Sequence, residues 1–334
     1  MSVEASGAVS ITERVKQIAA GAPVLSACFL RETAAFVLAE EFVLLAEADG
    51  SERRIKAHAG GILAAAARAD GVVTGGDDGA VALTDAGGGT RVLATDAKRR
   101  WIDRVAAGGS GAVAWSAGKT VSVRTAAGEM RTLEEPSSAG GLAFAPKGFR
   151  LAIAHYNGAT LWFPNARAPT ELLEWRGSHL GTTFSPDGKF LVTVMQEPML
   201  HGWRLADSKH MRMSGYAAKV RSVSWSAGGE WLATSGADQL ILWPFQGKDG
   251  PMGKTPKILS PHEQRVVAVA CHPREGICAV GYAEGMVLLV RIEDGAEILV
   301  RRPGGGEVTA LAWSAKGDRL AFGTDGGEAG VVAL

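Results

Sequence analysis

The chain has 334 residues, 46% of them hydrophobic and 21% charged, an ordinary balance for a globular protein. Its 35 Lys and Arg offset 35 Asp and Glu, which argues against a dedicated binder of nucleic acid or of an anionic membrane. Three cysteines (Cys28, Cys271, Cys278) supply neither a disulfide framework nor a Cys-x-x-Cys metal knuckle. The first residues, Met-Ser-Val-Glu-Ala-Ser-Gly, lack a basic region followed by an apolar core, and no apolar run reaches the length of a membrane span, about 18 residues. A soluble, reduced, cytoplasmic protein is therefore expected.

In chain order, eight short apolar segments read as first strands of a repeated unit: 24–30, 62–68, 101–107, 141–144, 181–184, 220–225, 266–271 and 308–313. From the fourth onward a phrase recurs: Phe144-Ala-Pro-Lys-Gly-Phe-Arg-Leu151, Phe184-Ser-Pro-Asp-Gly-Lys-Phe-Leu191, Trp225-Ser-Ala-Gly-Gly-Glu-Trp-Leu232 and Trp313-Ser-Ala-Lys-Gly-Asp-Arg-Leu320. Cys271-His-Pro-Arg-Glu-Gly-Ile-Cys278 is a divergent copy. Each pairs a strand end with a tight turn and a second strand. Acidic residues or Asn before Gly follow, at Asp77-Asp78-Gly79, Tyr156-Asn157-Gly158, Glu284-Gly285 and Asp325-Gly326, the chemistry of a two-strand hairpin. A period of about forty residues built from short strands marks a closed or stacked all-β repeat architecture. The segment 246–256, rich in Gly, Lys and Pro, reads as an exposed insertion in the sixth unit.

These residues resemble the WD-repeat β-propeller family. Ser185-Pro-Asp-Gly188 matches its turn, and Asp78 to Asp85 fits its spacing, with Thr84 where the family places Trp. Trp203 and Trp243 stand at the Trp position, but Arg204 and Pro244 replace the terminal Asp. The family's Gly-His pair is eroded to Ala57-His58, Ser178-His179 and Pro261-His262, so the chain resembles a degenerate member. The resemblance implies a buried His–Asp–Ser–Trp hydrogen-bonded set that is incomplete in most blades. It also implies a single propeller of four-stranded antiparallel blades over residues 12–334, eight blades or, alternatively, seven, after a flexible stretch at 1–11. The last unit stops after its third strand. Residues 14–18 resemble the fourth strands at 53–56, 91–94 and 257–260, so the N-terminal strand is expected to complete the last blade and close the ring.

Function is expected at the blade-to-blade connections and second-to-third-strand turns, which in such propellers share one face. Trp203, Trp225, Trp243 and Trp313 recur with the period and are expected in the core. Trp101, after Lys98-Arg99-Arg100, and Trp175, before Arg176, fall in connections. They can anchor a protein or peptide partner by apolar burial beside Arg–carboxylate pairs, or pack against a neighbouring blade under a solvated basic run. Tyr156, Tyr216, Arg265 and Tyr282 join the same candidate face. His155, His179 and His201 are the candidate metal donors if neighbouring blades bring them together. Cys271 and His272 are adjacent on a strand and point to opposite faces. No nucleophile elbow, zinc-protease motif or phosphate loop occurs, so a non-catalytic scaffold without a cofactor is expected, with a propeller enzyme or small-ligand binder as the alternative.

Overall fold

Burial decides the architecture. In the computed structural model, which describes residues 10–334, apolar side chains gather into eight separate clusters, and each draws its members from two consecutive repeat units. One joins Phe36 and Leu38 of the first unit to Ala310 and Ala321 of the last. The next joins Val43 and Leu45 to Ile62 and Val72 of the second unit, and so on around a ring. Each unit has two apolar faces, each buried against a neighbour, and the array closes without a free face.

Within the ring every strand pairing is antiparallel, in a meander from an inner first strand to an outer fourth. The third unit shows the pattern: Arg104–Ala107, Val113–Ala117, Thr120–Arg124 and Met130–Glu134. Hydrogen bonding defines seven sheets, six of four strands and one of six. The six-stranded sheet holds both the fourth and the fifth units. Its strand Leu151–Trp162 doubles back, because Leu151 and Trp162 lie in one cluster, whereas eleven residues of straight strand would part them by roughly 35 Å. Asn157, at φ 68°, makes the reversal. The following strand, Glu171–Phe184, runs on from the outer edge of the fourth unit into the inner position of the fifth. The eight units expected from the sequence are thus all present, with two fused into one sheet.

The N-terminal strand closes the ring as expected. Lys16–Ala19 pairs with Glu328–Ala333, Lys16 opposite Val331 and Ala19 opposite Glu328. A short 3-10 turn, Ile11–Arg14, precedes it and sets Ile11 against the core between the last two units. Of the stretch expected to be flexible, residues 1–9 lie outside the described residues. Of the tryptophans expected in the core, Trp203 and Trp243 are buried there, whereas Trp225 and Trp313 are half-buried against it and bolt units together: Trp225 Nε1 donates to Thr183 Oγ1 (3.1 Å), and Trp313 Nε1 to the Ala270 carbonyl (2.9 Å). The insertion is exposed over most of its length, but Gly250 and Pro251 are buried, with Gly250 close to the Phe190 ring. Arg204 ties it down through Asp249 while also gripping Asp207.

Candidate functional site

The connections and hairpin turns on one face are held by buried hydrogen-bonded sets. In the second unit His58 Nδ1 meets Asp78 (3.1 Å) and Nε2 meets Thr74 Oγ1 (2.8 Å), while Asp78 also accepts from the backbone N–H of Ala59 and Ala80. One carboxylate thereby clamps the incoming connection to the hairpin turn, and the N–H donors hold its pKa below the usual range against the opposing effect of burial. The fifth unit keeps His179 Nδ1 on Thr193 Oγ1 (2.7 Å), and Thr193 donates to the His201 carbonyl. The sixth replaces histidine with Tyr216, whose hydroxyl lies 2.8 Å from Thr234 Oγ1 and accepts the Trp243 indole N–H at 2.6 Å. In the fourth, His155 Nε2 and Glu135 meet on Thr160 Oγ1. The sets are partial in different ways, as the resemblance implied.

Between these anchors the loops form a continuous arc. Arg100 donates to Thr120 Oγ1 in the hairpin of the third unit (3.1 Å). Glu135 N–H donates to the Lys119 carbonyl, and Ala139 N–H to that of Gly118. Tyr156 N–H then donates to Ser137 Oγ (3.0 Å), Gly177 N–H to Asn157 Oδ1 (3.2 Å), and Lys219 Nζ to Gln196 Oε1 (3.3 Å). With Gln196 N–H bonded to the Ser178 carbonyl, seven loops, from the connection after the second unit to the one before the sixth, thus share one surface. Trp101 (66% exposed) and Tyr156 (59%) stand out from it. Arg99, Lys98, Lys119 and Arg176 are exposed around them, and Arg265 is exposed farther along the ring.

Several candidates drawn from the sequence take other roles. Tyr216 and Tyr282 are corrected: both are buried, at 8% and 0% exposure, and neither can touch a partner. Burial pushes the Tyr216 hydroxyl up to about 12, and Tyr282 donates to the Ser260 carbonyl, so both brace blades. Arg100 is exposed, but its guanidinium already grips Asp96 at 2.7 Å, holding that carboxyl down to about 2 and pinning the turn that presents Arg99 and Trp101. Trp175 is half-buried and stacks on His201 (4.1 Å between ring centroids, 14° between planes), the packing alternative. His155, His179 and His201 are not assembled as a donor set. Both ring nitrogens of His155 and of His179 bond to protein groups, and His201 only packs edge-on to His179 at 6.3 Å. Among the described residues no three His, Cys, Asp or Glu side chains are grouped to hold a metal ion.

The Asn157 turn was marked in the sequence as a hairpin, but the linking loops around Lys119 and Ser137 were not singled out, because their role is to bond to their neighbours and no motif marks that. Tyr216 was misread although it carried a signal, since Gly215-Tyr216 stands where the family has its Gly-His pair. On the opposite face a cleft of about 840 Å³ lies between the fifth and sixth units, lined by Lys189, Arg204, Glu230, Phe245 and Lys248. Its mixed charge and the insertion that walls it make it a secondary feature.

His201 yields a pH prediction. It is fully buried, neither ring nitrogen has a hydrogen-bond partner, and burial first, then the nearby His179, His210 and Arg212, lowers its pKa to about 3. Above about pH 6.5 the ring is neutral folded or unfolded, so it contributes no pH dependence. Below that, the unfolded chain takes up a proton that the folded chain refuses, and stability falls as pH drops toward 3. His201→Phe keeps the stack on Trp175 and removes both nitrogens. Its melting temperature is expected to match or exceed wild type at pH 7.5 and to gain further by pH 5, on the order of 1–2 kcal/mol. Thermal melts across pH check this, and parallel curves for the two proteins would refute it.

Comparisons agree with this architecture. The WD domain, G-beta repeat model matches residues 208–243, the unit whose set contains Tyr216, Thr234 and Trp243. WD repeat-containing protein 55 of Mus musculus is 26% identical over 203 residues, 58% of this chain and 50% of that protein. Its Rattus norvegicus counterpart is 27% identical over the same length. WD repeat-containing protein 1-B of Xenopus laevis is 32% identical over 77 residues, 22% of this chain and 13% of that protein. The match thus spans about half the length of the first two relatives or less. Among solved structures, the computationally designed Ika8 protein superposes with a TM-score of 0.77 at 18% identity, covering 94% of this chain and 96% of that one, a likeness of fold alone. The forty-residue meander, the closure by the N-terminal strand, the His–Asp–Thr and Tyr–Thr–Trp sets and these likenesses together support a place for the chain in the WD-repeat family.

Proposed function

We propose that the chain, as one propeller domain over residues 12–334, is a non-catalytic platform that captures a protein or peptide partner on the arc of Trp101 and Tyr156. Propellers of this family commonly mediate protein interactions. The observation that carries the reading is the pair of exposed aromatic side chains on loops bonded into one surface. An aromatic ring held on a braced loop loses little freedom on binding and buries much area, the profile of an interface anchor. Arg99, Lys98, Lys119 and Arg176 around the rings favour a partner segment that offers carboxylates to a guanidinium. Arg265 extends the cationic rim. Three reduced, buried cysteines fit a cytoplasmic setting.

The test is capture from native lysate by immobilised wild type against Arg99→Glu/Trp101→Ala. Both side chains are exposed, so the double variant is expected to melt within about 0.5 kcal/mol of wild type. Capture should fall at least about 30-fold, the loss of one strong anchor. Equal capture by a folded variant would refute the reading, and unfolding would show that these residues hold the fold.

A further inference from the structure

The mechanism of the interaction face makes no use of the cysteines, yet two of them meet inside the seventh unit. Cys271, at the end of Val266–Cys271, lies directly opposite Cys278, in Ile277–Tyr282, across an antiparallel pair. Opposed residues in such a ladder alternate between hydrogen-bonded and non-hydrogen-bonded pairs, and the backbone fixes which kind this is. His272 N–H crosses to the Ile277 carbonyl (2.8 Å). Cys271 N–H instead leaves its own blade and donates to Ser224 Oγ in the sixth unit (2.9 Å). Cys271 and Cys278 are therefore a non-hydrogen-bonded pair, the kind with the shorter Cα separation, about 4.5 Å. That lies inside the range a disulfide spans, about 4.4–6.8 Å. Both side chains also point into one apolar cluster, toward the sixth unit, so their Cβ vectors agree.

We infer that Cys271 and Cys278 are a modification site: a cross-strand thiol pair that closes to a disulfide when a two-electron oxidant of the peroxide class reaches it. Cys271 is the outer sulfur, at the margin of burial, whereas Cys278 is fully enclosed. The contact between the two thiols lowers the pKa of Cys271 and, together with burial, raises that of Cys278, which makes Cys271 the attacking thiolate. Its sulfur bonds to one peroxide oxygen as the O–O bond breaks and hydroxide leaves, giving a sulfenic acid. The Cys278 sulfur then attacks the Cys271 sulfur; the S–S bond forms, the S–O bond breaks, and the departing hydroxide takes the Cys278 proton as water. Two thiols are oxidised to one disulfide, and one peroxide is reduced to two waters.

The staple closes the turn of 272–277, where His272 Nε2 also donates to the Gly317 carbonyl of the eighth unit (3.0 Å), so oxidation tightens a junction of three units. Cys28 serves as an internal reference. It is buried in another part of the ring, and burial pushes its thiol up to about 12.

The test uses the intact protein treated with hydrogen peroxide, then alkylated in denaturant and digested with trypsin. Cleavage after Arg274 separates the two cysteines, so a disulfide leaves fragments 266–274 and 275–291 joined. The expected result is that joined species, lighter by two hydrogens than the sum of its parts, reverting to two alkylated fragments with dithiothreitol. Cys28 stays alkylatable throughout, and the oxidised protein melts higher than the reduced. Two separately alkylated fragments after oxidation, or sulfinic acid on either cysteine without joining, would overturn the inference.

Discussion

Ile18→Asp is expected to unfold the ring. Ile18 is the one fully buried residue of the closing strand, packed between the first and last units with Ala20, Val24 and Phe36, while Gln17 and Ala19 beside it face solvent. A carboxylate there falls inside an apolar cluster and must lose the strand or bury its charge, at a cost on the order of 4–5 kcal/mol. Losing the strand frees the edge of Glu328–Ala333, whose N–H and C=O groups then invite pairing between molecules. Denaturant melts should show a much lower midpoint, accompanied by aggregation near neutral pH. Gln17→Lys, one residue away and exposed, is the control and should leave the midpoint within about 0.5 kcal/mol. A folded, monomeric Ile18→Asp protein would mean that the three strands of the last unit suffice without closure.

Tyr216→Ala is the second large effect. The ring fills the junction between the fifth and sixth units beside Met211, Met213 and Trp243, and its hydroxyl joins Thr234 to the Trp243 indole. Truncation removes a buried aromatic and opens a cavity, about 3–5 kcal/mol for such a change, and leaves an indole N–H without an acceptor. Tyr216→Phe separates the two contributions. It keeps the volume, removes only the hydroxyl, and should cost about 1–3 kcal/mol. Tyr216→His restores an acceptor of the kind that His58 and His179 provide in their units. It is expected to recover part of what Ala loses. Equal stability of the Phe and wild-type proteins would remove the hydroxyl from the account.

These two sites also show what the sequence made legible. Repeat length, strand order and ring closure could be read because they rest on local chemistry: the apolar strand end, the Gly turn that leads to a second apolar strand seven residues on, and the Arg14-Val-Lys-Gln-Ile18 segment that looks like a fourth strand. The fusion of the fourth and fifth units could not. It follows from the long strand Glu171–Phe184 carrying Trp175 through a connection that elsewhere is a loop, and Trp175 does so because it packs on His201 of the next unit. The candidate face was legible only in outline. Trp101 and Tyr156 stood out as aromatics beside turn residues and proved exposed. Tyr216 and Tyr282 stand between Gly and Ala in the sequence, and their partners across the blade, Trp243 and Ser260, make them braces rather than anchors. The Arg100–Asp96 pair is local, four residues apart, and was available to the same reasoning that picked out the basic run.

The central claim is that partners meet the face carrying Trp101 and Tyr156. Hydrogen–deuterium exchange of the protein, alone and with a captured partner, tests it most directly. The account predicts slowed exchange in 96–102, 118–120 and 155–158 on binding, with 186–189, 228–230 and 246–253 across the ring unchanged. Protection confined to that opposite face, over the cleft between the fifth and sixth units, would contradict it.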